Sequence, residues 1–283
     1  MRGFEVLATG PLSTVQDLGR PGLAGIGVGV SGAADRGSLR LANRLVGNDE
    51  GAAAVEVTLG GLQVRARGDL TVAFTGAPCP ATVDGRVVPV NTVLRVPAGA
   101  HLRLGRPERG LRSYLAVRGG IAVEPVLGSC ATDTLAGLGP VQPRPGAVLP
   151  VGEPPRAFPV VDAAPVRAGD DLVLAVVPGP RDDWFADGAL AALLSEPYEV
   201  TAESDRVGMR LSGPALARAR GGELPSEGMV SGALQVPPSG QPTLFLADHP
   251  VTGGYPVIAV VVAADVDRAA QARPGQRLRF RAV

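Results

Sequence analysis

Short runs of alternating apolar and polar residues, broken every few positions by glycine or proline, fill most of this chain. A period of two puts one face of a strand on a core and the other in water, and Leu-Arg-Leu at residues 102–104 and Leu-Arg-Phe-Arg at 278–281 carry it. The longest purely apolar run, 257–264, falls far short of a bilayer span. Helical spacing emerges in three places. Residues 35–46 put Leu39, Ala42 and Leu45 or Val46 on one face, with Asp35 as the N-cap and Gly47 as the stop. Residues 181–195 predict a second helix, and 266–272 a short third one capped by Asp265. The rest reads as strands and turns. The expected fold class is therefore mainly β, with two closed or nearly closed β barrels and a few short helices, closure being the usual way to hide strand edges.

Two internal echoes support a pair of domains. The segment 68–78, GDLTVAFTGAP, resembles 169–180, GDDLVLAVVPGP; the segment 96–105, VPAGAHLRLG, resembles 272–281, ARPGQRLRFR. A duplicated β domain explains both pairs in the same order. The proline-rich tract 140–165 lies between the echoes and reads as a linker or crossover, which places an N-terminal barrel domain at residues 1–160 and a C-terminal one at 161–283.

Composition narrows the chemistry. Hydrophobic residues make up 45% of the 283 positions but aromatic ones only 4%, so Val, Leu and Ala must fill the cores. The 39 glycines and 27 prolines fall between apolar runs, as turns do. The sequence contains no lysine: all 27 basic residues are arginine. That excludes from this chain a Schiff-base lysine, a Walker-type phosphate-loop lysine and a biotin-carrying lysine. The 27 acidic residues balance the arginines, so no global basic field attracts nucleic acid or anionic membrane. Cys79 and Cys130 are too few for a disulfide framework, and with only His101 and His249 beside them a structural metal is not expected. The N-terminal residues lack the apolar core of a signal peptide, so a soluble, cytoplasmic protein is expected.

Three polar constellations remain. The segment 226–255 gathers Ser226, Glu227, Gln235, Asp248, His249, Thr252 and Tyr255 among glycines and prolines, and Gly253-Gly254 offers backbone amides unobstructed by a Cβ. Two ordinary hairpin turns would look the same. The motif TVQDLGRPG at 14–22, followed by GVSGAADRGSLRLANRLVGN, offers Gln16, Asp17, Arg20, Ser31, Asp35, Arg40, Asn43 and Asn48. An arginine fork at Arg20 or Arg40 suits a carboxylate, with Asp17 holding it, or else Asp17 and Arg20 form a structural pair. The third constellation is Ser204, Asp205 and Arg206 in ESDRVGMRLSGP, where a carboxylate beside an arginine stays ionised and suits orienting a water; a surface salt bridge is the plainer reading. A serine hydrolase triad fits poorly, because there is no G-x-S-x-G elbow and spacing alone joins Ser226, Glu227 and His249 weakly. His101 reads as structural. No glycine-rich phosphate cradle follows a predicted strand.

Taken together, TVQDLGR at 14–20, VSGAADRGSLRLANRLVGN at 30–48, YLAVRGGI at 114–121, SDRVGMRL at 204–211, and SEGMVSGALQVPPSGQP with DHPVTGGYP across 226–256 resemble the KipA family, also described as PxpC, the C subunit of prokaryotic 5-oxoprolinase. Relatives are often labelled allophanate hydrolase subunit 2 or grouped with the biotin-dependent carboxyltransferase domain of urea carboxylase. The resemblance implies two cyclophilin-like β-barrel domains, a KipI-like B subunit and a LamB/YcsF-type A subunit. The implied reaction uses ATP to activate the amide oxygen of 5-oxoproline before hydrolysis to glutamate, and the ATP site is expected on, or shared with, a partner subunit. Under it, Asp17, Asp205 or Asp248 would position the water. Gln16, Arg20, Ser31, Ser204, Arg206, Glu227, Gln235, Thr252, Gly253, Gly254 and Tyr255 would bind substrate. Alternatives are carboxyl transfer to a urea-like amide, with biotin on another chain, and a non-catalytic antagonist of a KipI-type kinase inhibitor. The chain departs from the family where His249-Pro250-Val251 replaces Arg-Gln-Thr and where Cys130-Ala131 replaces Arg-Ser.

Overall fold

The computed structural model describes residues 2–159, 161–166, 172–222 and 224–283, so residues 169–171 of the second echo lie outside the described residues. The chain divides into two compact units: Met1–Arg20, Ser31–Asp133 and Gly137–Gly169 form the first, and Pro21–Val30, Thr134–Ala136 and Asp170–Val283 the second. Both are mainly β.

The first unit contains β1 (Gly3–Thr9), β2 (Leu12–Gln16), α1 (Arg36–Val46), β3 (Ala54–Thr58), β4 (Leu62–Arg67), β5 (Leu70–Gly76), β6 (Ala81–Val83), β7 (Arg86–Val88), β8 (Val93–Val96), β9 (His101–Leu104), β10 (Arg112–Val117) and β11 (Val148–Pro150). They form a six-stranded sheet, β11-β1-β4-β9-β6-β7, and a five-stranded one, β2-β3-β10-β5-β8. Alternate residues of both enclose one aliphatic core: Phe4, Val6, Val64 and Leu102 from the first sheet, Val15, Val57, Val72 and Leu115 from the second. Strand β10 is buried along its whole length because its other face receives α1. Small Ala54, Ala73 and Ala116 there leave room for Leu39, Ala42, Leu45 and Val46, the predicted helix face. Burying each larger aliphatic contributes about 1.5–3 kcal/mol. Asp35 caps α1 as expected, accepting the Ser38 N–H at 2.9 Å, and Gly47 ends it at φ 71°.

The second unit contains β12 (Val173–Pro178), α2 (Ala189–Ser195), β13 (Tyr198–Val200), β14 (Gly208–Ser212), β15 (Glu227–Gly228), β16 (Ala233–Gln235), β17 (Thr243–Phe245), β18 (Thr252–Gly253), β19 (Val257–Val261), α3 (Ala263–Ala269) and β20 (Arg277–Ala282). Seven strands close a barrel in the order β12-β19-β16-β17-β14-β13-β20, sealed by the parallel pairing of β12 with β20. Leu174, Val176, Leu234, Leu244, Ile258 and Phe280 lie in its core. The two echoes fall on β5 and β9 in the first unit and on β12 and β20 in the second. The first two belong to different sheets, whereas the last two are neighbours.

Three expectations are corrected. Residues 181–195 do not form one helix: a 3₁₀ turn at Asp182–Trp184 is separated from α2 because Trp184 and Ala186 pair with another segment, the Trp184 carbonyl accepting Ala219 N–H and the Ala186 N–H bonding Ala217, both at 2.9 Å. Helix α3 begins at Ala263, and Asp265 lies inside its first turn with its carboxylate accepting the Ala175 N–H of β12 at 2.7 Å. The tract 140–165 is no free linker. Its strand β11 pairs with β1, and Arg118 donates to the carbonyls of Pro155 and Ala157 while its guanidinium carbon sits 3.8 Å from the centroid of the Phe158 ring. Further along, Val93 N–H bonds the Asp162 carbonyl and Asn91 donates to that of Pro165.

Candidate functional site

In the first unit, β2 runs into the turn 17–20, and the segment 126–132 packs around that turn. Gln16, fully buried, donates to the Thr14 hydroxyl and to the Thr132 carbonyl at 2.8 Å. One carboxylate oxygen of Asp17 accepts the Gly19 N–H and the Ser129 hydroxyl, each at 2.7 Å; the other accepts the Cys130 N–H at 2.6 Å. Arg20 donates to the carbonyls of Val126 and Ala131. No ion pair therefore joins Asp17 to Arg20: each ties the turn to 126–132 separately. Ser31 is buried at φ 54°, and Gly32 beside it approaches so closely that a Cβ there would lie 2.7 Å from the Gly19 nitrogen. The next residues are held from the sheet, Ala34 N–H by Glu56 at 2.9 Å and Asp35 N–H by the Tyr114 hydroxyl at 2.8 Å. Burial, reinforced by Glu56, pushes the Tyr114 phenol well above its ordinary pKa, so it stays protonated and donates to Glu56 at 2.7 Å. Arg40 lies on the exposed side of α1 with Glu50 at 3.6 Å. The segment 129–132 escaped sequence reasoning as a partner because the groups it bonds lie more than a hundred residues away. Asp17 uses the backbone N–H of Cys130, so replacing arginine by cysteine there leaves that bond intact. Burial also pushes the Cys130 thiol up, with Asp17 and Glu124 adding to the shift.

In the second unit the buried ion pair is Arg206 with Asp248, not a surface pair with Asp205. Arg206 Nε and Nη2 meet the two carboxylate oxygens at 2.9 and 2.8 Å, and the side chains are 2% and 0% exposed. Thr134 adds its N–H at 2.9 Å and its hydroxyl at 2.7 Å. Asp205 is exposed and closes its own turn, accepting the N–H groups of Val207 and Gly208; Ser204 accepts the Arg210 N–H. Strands β15 and β18 form a separate two-stranded ribbon that pairs Glu227 with Gly253 and Gly228 with Thr252. Arg181 clamps Glu227 through two nitrogens and holds its carboxyl below the usual range. Gln235 donates to the Tyr255 carbonyl at 3.1 Å. A Cβ on Gly253 would come within 2.5 Å of both Gln235 Nε2 and Met229 Cε, so this glycine accommodates protein side chains; Gly254 has only the Leu224 carbonyl nearby, at 3.5 Å. His249 contacts its neighbour's carbonyl through Nδ1 and faces Phe245 with ring centroids 6.3 Å apart. Among the described residues, Ser226, Glu227 and His249 make no hydrogen bond to one another. Sequence reasoning did not single out Arg218, which donates to Val236 and lies with its guanidinium carbon 5.5 Å from the Tyr255 ring centroid.

Among the described residues no helix is long and apolar enough to cross a membrane. The family described as carboxyltransferase domain, subdomain A and B, matches residues 26–282, and the chain belongs to that family. Within it the chain is 40% identical to the C subunit of the 5-oxoprolinase of Escherichia coli (strain K12), over 98% of this chain and 90% of that protein. It is 33% identical to urea amidolyase of Saccharomyces cerevisiae, over 98% of this chain but 16% of that one. Among solved structures, TTHA0988 matches with a TM-score of 0.90 at 38% identity, over 99% of this chain and 55% of that chain. The urea carboxylase of Kluyveromyces lactis matches with a TM-score of 0.92 at 31% identity, over 98% and 27%. The chain thus spans about nine-tenths of the E. coli protein but little more than half of the TTHA0988 chain.

Proposed function

We propose that this chain is the C subunit of an ATP-dependent 5-oxoprolinase that opens the cyclic amide of 5-oxoproline to glutamate, working in the cytoplasm with a KipI-like subunit and a LamB/YcsF-type subunit. The observation that carries this reading is the match to the C subunit of a 5-oxoprolinase over nearly the full length of both proteins, at 40% identity. The urea enzymes match as well, but the chain amounts to a small fraction of each.

The geometry favours a chain that acts in company. Asp248 is committed to Arg206 and Thr134, Asp17 to Gly19, Ser129 and Cys130, and Asp205 to its own turn. Saturated carboxylates make good positioning groups and poor proton acceptors, so the three serve to hold the loops that would face substrate. In this reading ATP belongs to a partner chain: lysine is absent here, and the Arg206 fork is occupied. ATP would activate the lactam oxygen there, leaving the present chain to orient substrate and exclude competing water.

Carboxyl transfer is the second reading, supported by the family description and the likeness to urea carboxylase. It requires biotin on a separate carrier, since this chain has no lysine to bear it. One experiment separates the two. The chain is co-expressed with its candidate partners and supplied with ATP and 5-oxoproline, urea or allophanate, and glutamate, ammonia and phosphate are followed. Glutamate release that needs all partners supports the first reading. Turnover of urea with a biotinylated carrier and none of 5-oxoproline overturns it.

A further inference from the structure

In the second unit, residues 215–218, 220–222 and 238–240 line an open groove of about 380 Å3 that no predicted site residue lines. Small-molecule sites commonly fall in this range. Its polar wall is cationic: Arg218 and Arg220 lie on it, beside Gly221, Gly222 and Ser239. Arg218 is fixed on two sides, by its Nη2 bond to the Val236 carbonyl and by the face of Tyr255, yet its Nε is buried and has no hydrogen-bond partner. That Nε lies out of reach of the groove; the nitrogen left open is Nη1, which bonds no described group and is not buried. Nothing crowds the backbone on the other wall: no atom lies within 4 Å of a Cβ built on Gly221 or Gly222, Gly222 sits at φ 99°, and neither N–H donates to any group of the described residues. Among the described residues Asp183 pairs with Arg220 at 2.9 Å, and Arg218 forms no ion pair.

We propose that this groove is an anion subsite for a carboxylate or phosphate group, with Arg218 as its principal ligand and the amides of Gly221 and Gly222 as additional donors. A guanidinium beside free backbone amides is the arrangement that recognises either oxyanion. Tyr255, whose backbone carbonyl accepts from Gln235, links Arg218 to the segment 252–256. The groove itself is argued from the second unit alone; naming the 5-oxoproline carboxylate as one source of the anion rests on the function proposed above, and a nucleotide phosphate is the other.

The test is calorimetric titration of the full chain, without partners, with inorganic phosphate and separately with 5-oxoproline. Trp184 fluorescence provides a second readout, since the carbonyl of this single tryptophan accepts the N–H groups of Ala219 and Arg220 in the groove segment. Saturable binding of either anion is expected, weakened at least about tenfold in Arg218→Gln and in Ser239→Asp, which puts a like charge at an exposed position of the groove. Binding of phosphate alone indicates the nucleotide source, and binding of 5-oxoproline alone the substrate carboxylate. Saturation by neither anion, or affinities unchanged in Ser239→Asp, overturns the proposal; this variant decides the matter even where Arg218→Gln fails to fold. Glutamate release is not measured, so a failure here and a failure of the 5-oxoprolinase reading are distinguishable.

Discussion

Asp248 accepts two hydrogen bonds from Arg206 and two from Thr134 with its side chain fully out of solvent. Asp248→Asn leaves the shape but strands a buried guanidinium, so unfolding in urea should show a loss of about 3–5 kcal/mol. The double variant Arg206→Met/Asp248→Leu should recover much of it, because no unpaired charge then remains. The two glycines at 253 and 254 make a finer contrast. Gly253→Ala drives a methyl against Gln235 and Met229 and displaces Gln235 from the Tyr255 carbonyl, a loss of about 1 kcal/mol; Gly254→Ala meets only the Leu224 carbonyl at contact distance and should be near neutral in the same denaturation assay. The sequence presents these glycines as equivalents because it shows neither Gln235 nor Met229 beside them. The same blindness hid the partners of Asp17, whose nearest acceptor-seeking arginine in sequence, Arg20, bonds carbonyls instead.

Helix α1 was legible down to its caps because everything that sets its limits is local: Asp35 and Ser38 at one end, Gly47 at the other, and an apolar face at helical spacing. The segments around 181–195 and Asp265 were not, since strand-like partners at 217–219 break the first and a backbone amide of β12 captures the second. The tract 140–165 shows the same limit on a larger scale: prolines read as a linker, while Arg118 binds the carbonyls that proline leaves without a strand partner. Arg118 also donates to the Val46 carbonyl at the end of α1, at 2.8 Å. Arg118→Ala should therefore loosen two elements together, lowering stability by about 2–4 kcal/mol and opening residues 153–158 to limited proteolysis. Arg118→Lys should rescue little of this, since a single ammonium cannot reproduce the planar fork that spans Val46, Pro155 and Ala157.

Across the whole molecule the 27 acidic and 27 basic side chains cancel at pH 7; on acidification the arginines lose that balance in wild type and variants alike, so the few displaced groups are read as differences between them. Asp265 is one of them: burial alone would raise its carboxyl, but the Ala175 N–H and Arg268 together outweigh that and hold it below 3.8. Arg181 lowers Glu227 likewise. A carboxyl depressed in the folded state contributes stability that is complete above its unfolded value and disappears as pH falls through the folded one. The wild-type chain should therefore exceed Asp265→Asn in urea midpoint at about pH 7, and the gap should close as pH falls below about 4. At the alkaline end Tyr198 works with the opposite sign. Burial raises its phenol from 10.0 to about 12 while it bonds the Pro214 carbonyl at 3.0 Å, so the stability it adds is complete below 10 and is lost as pH rises through about 12. Tyr198→Phe should shift that alkaline loss away while leaving the acid limb unchanged. A gap between wild type and Asp265→Asn that widened on acidification would mean that the Ala175 and Arg268 contacts do not hold the carboxylate, and the join between α3 and β12 would then need another account.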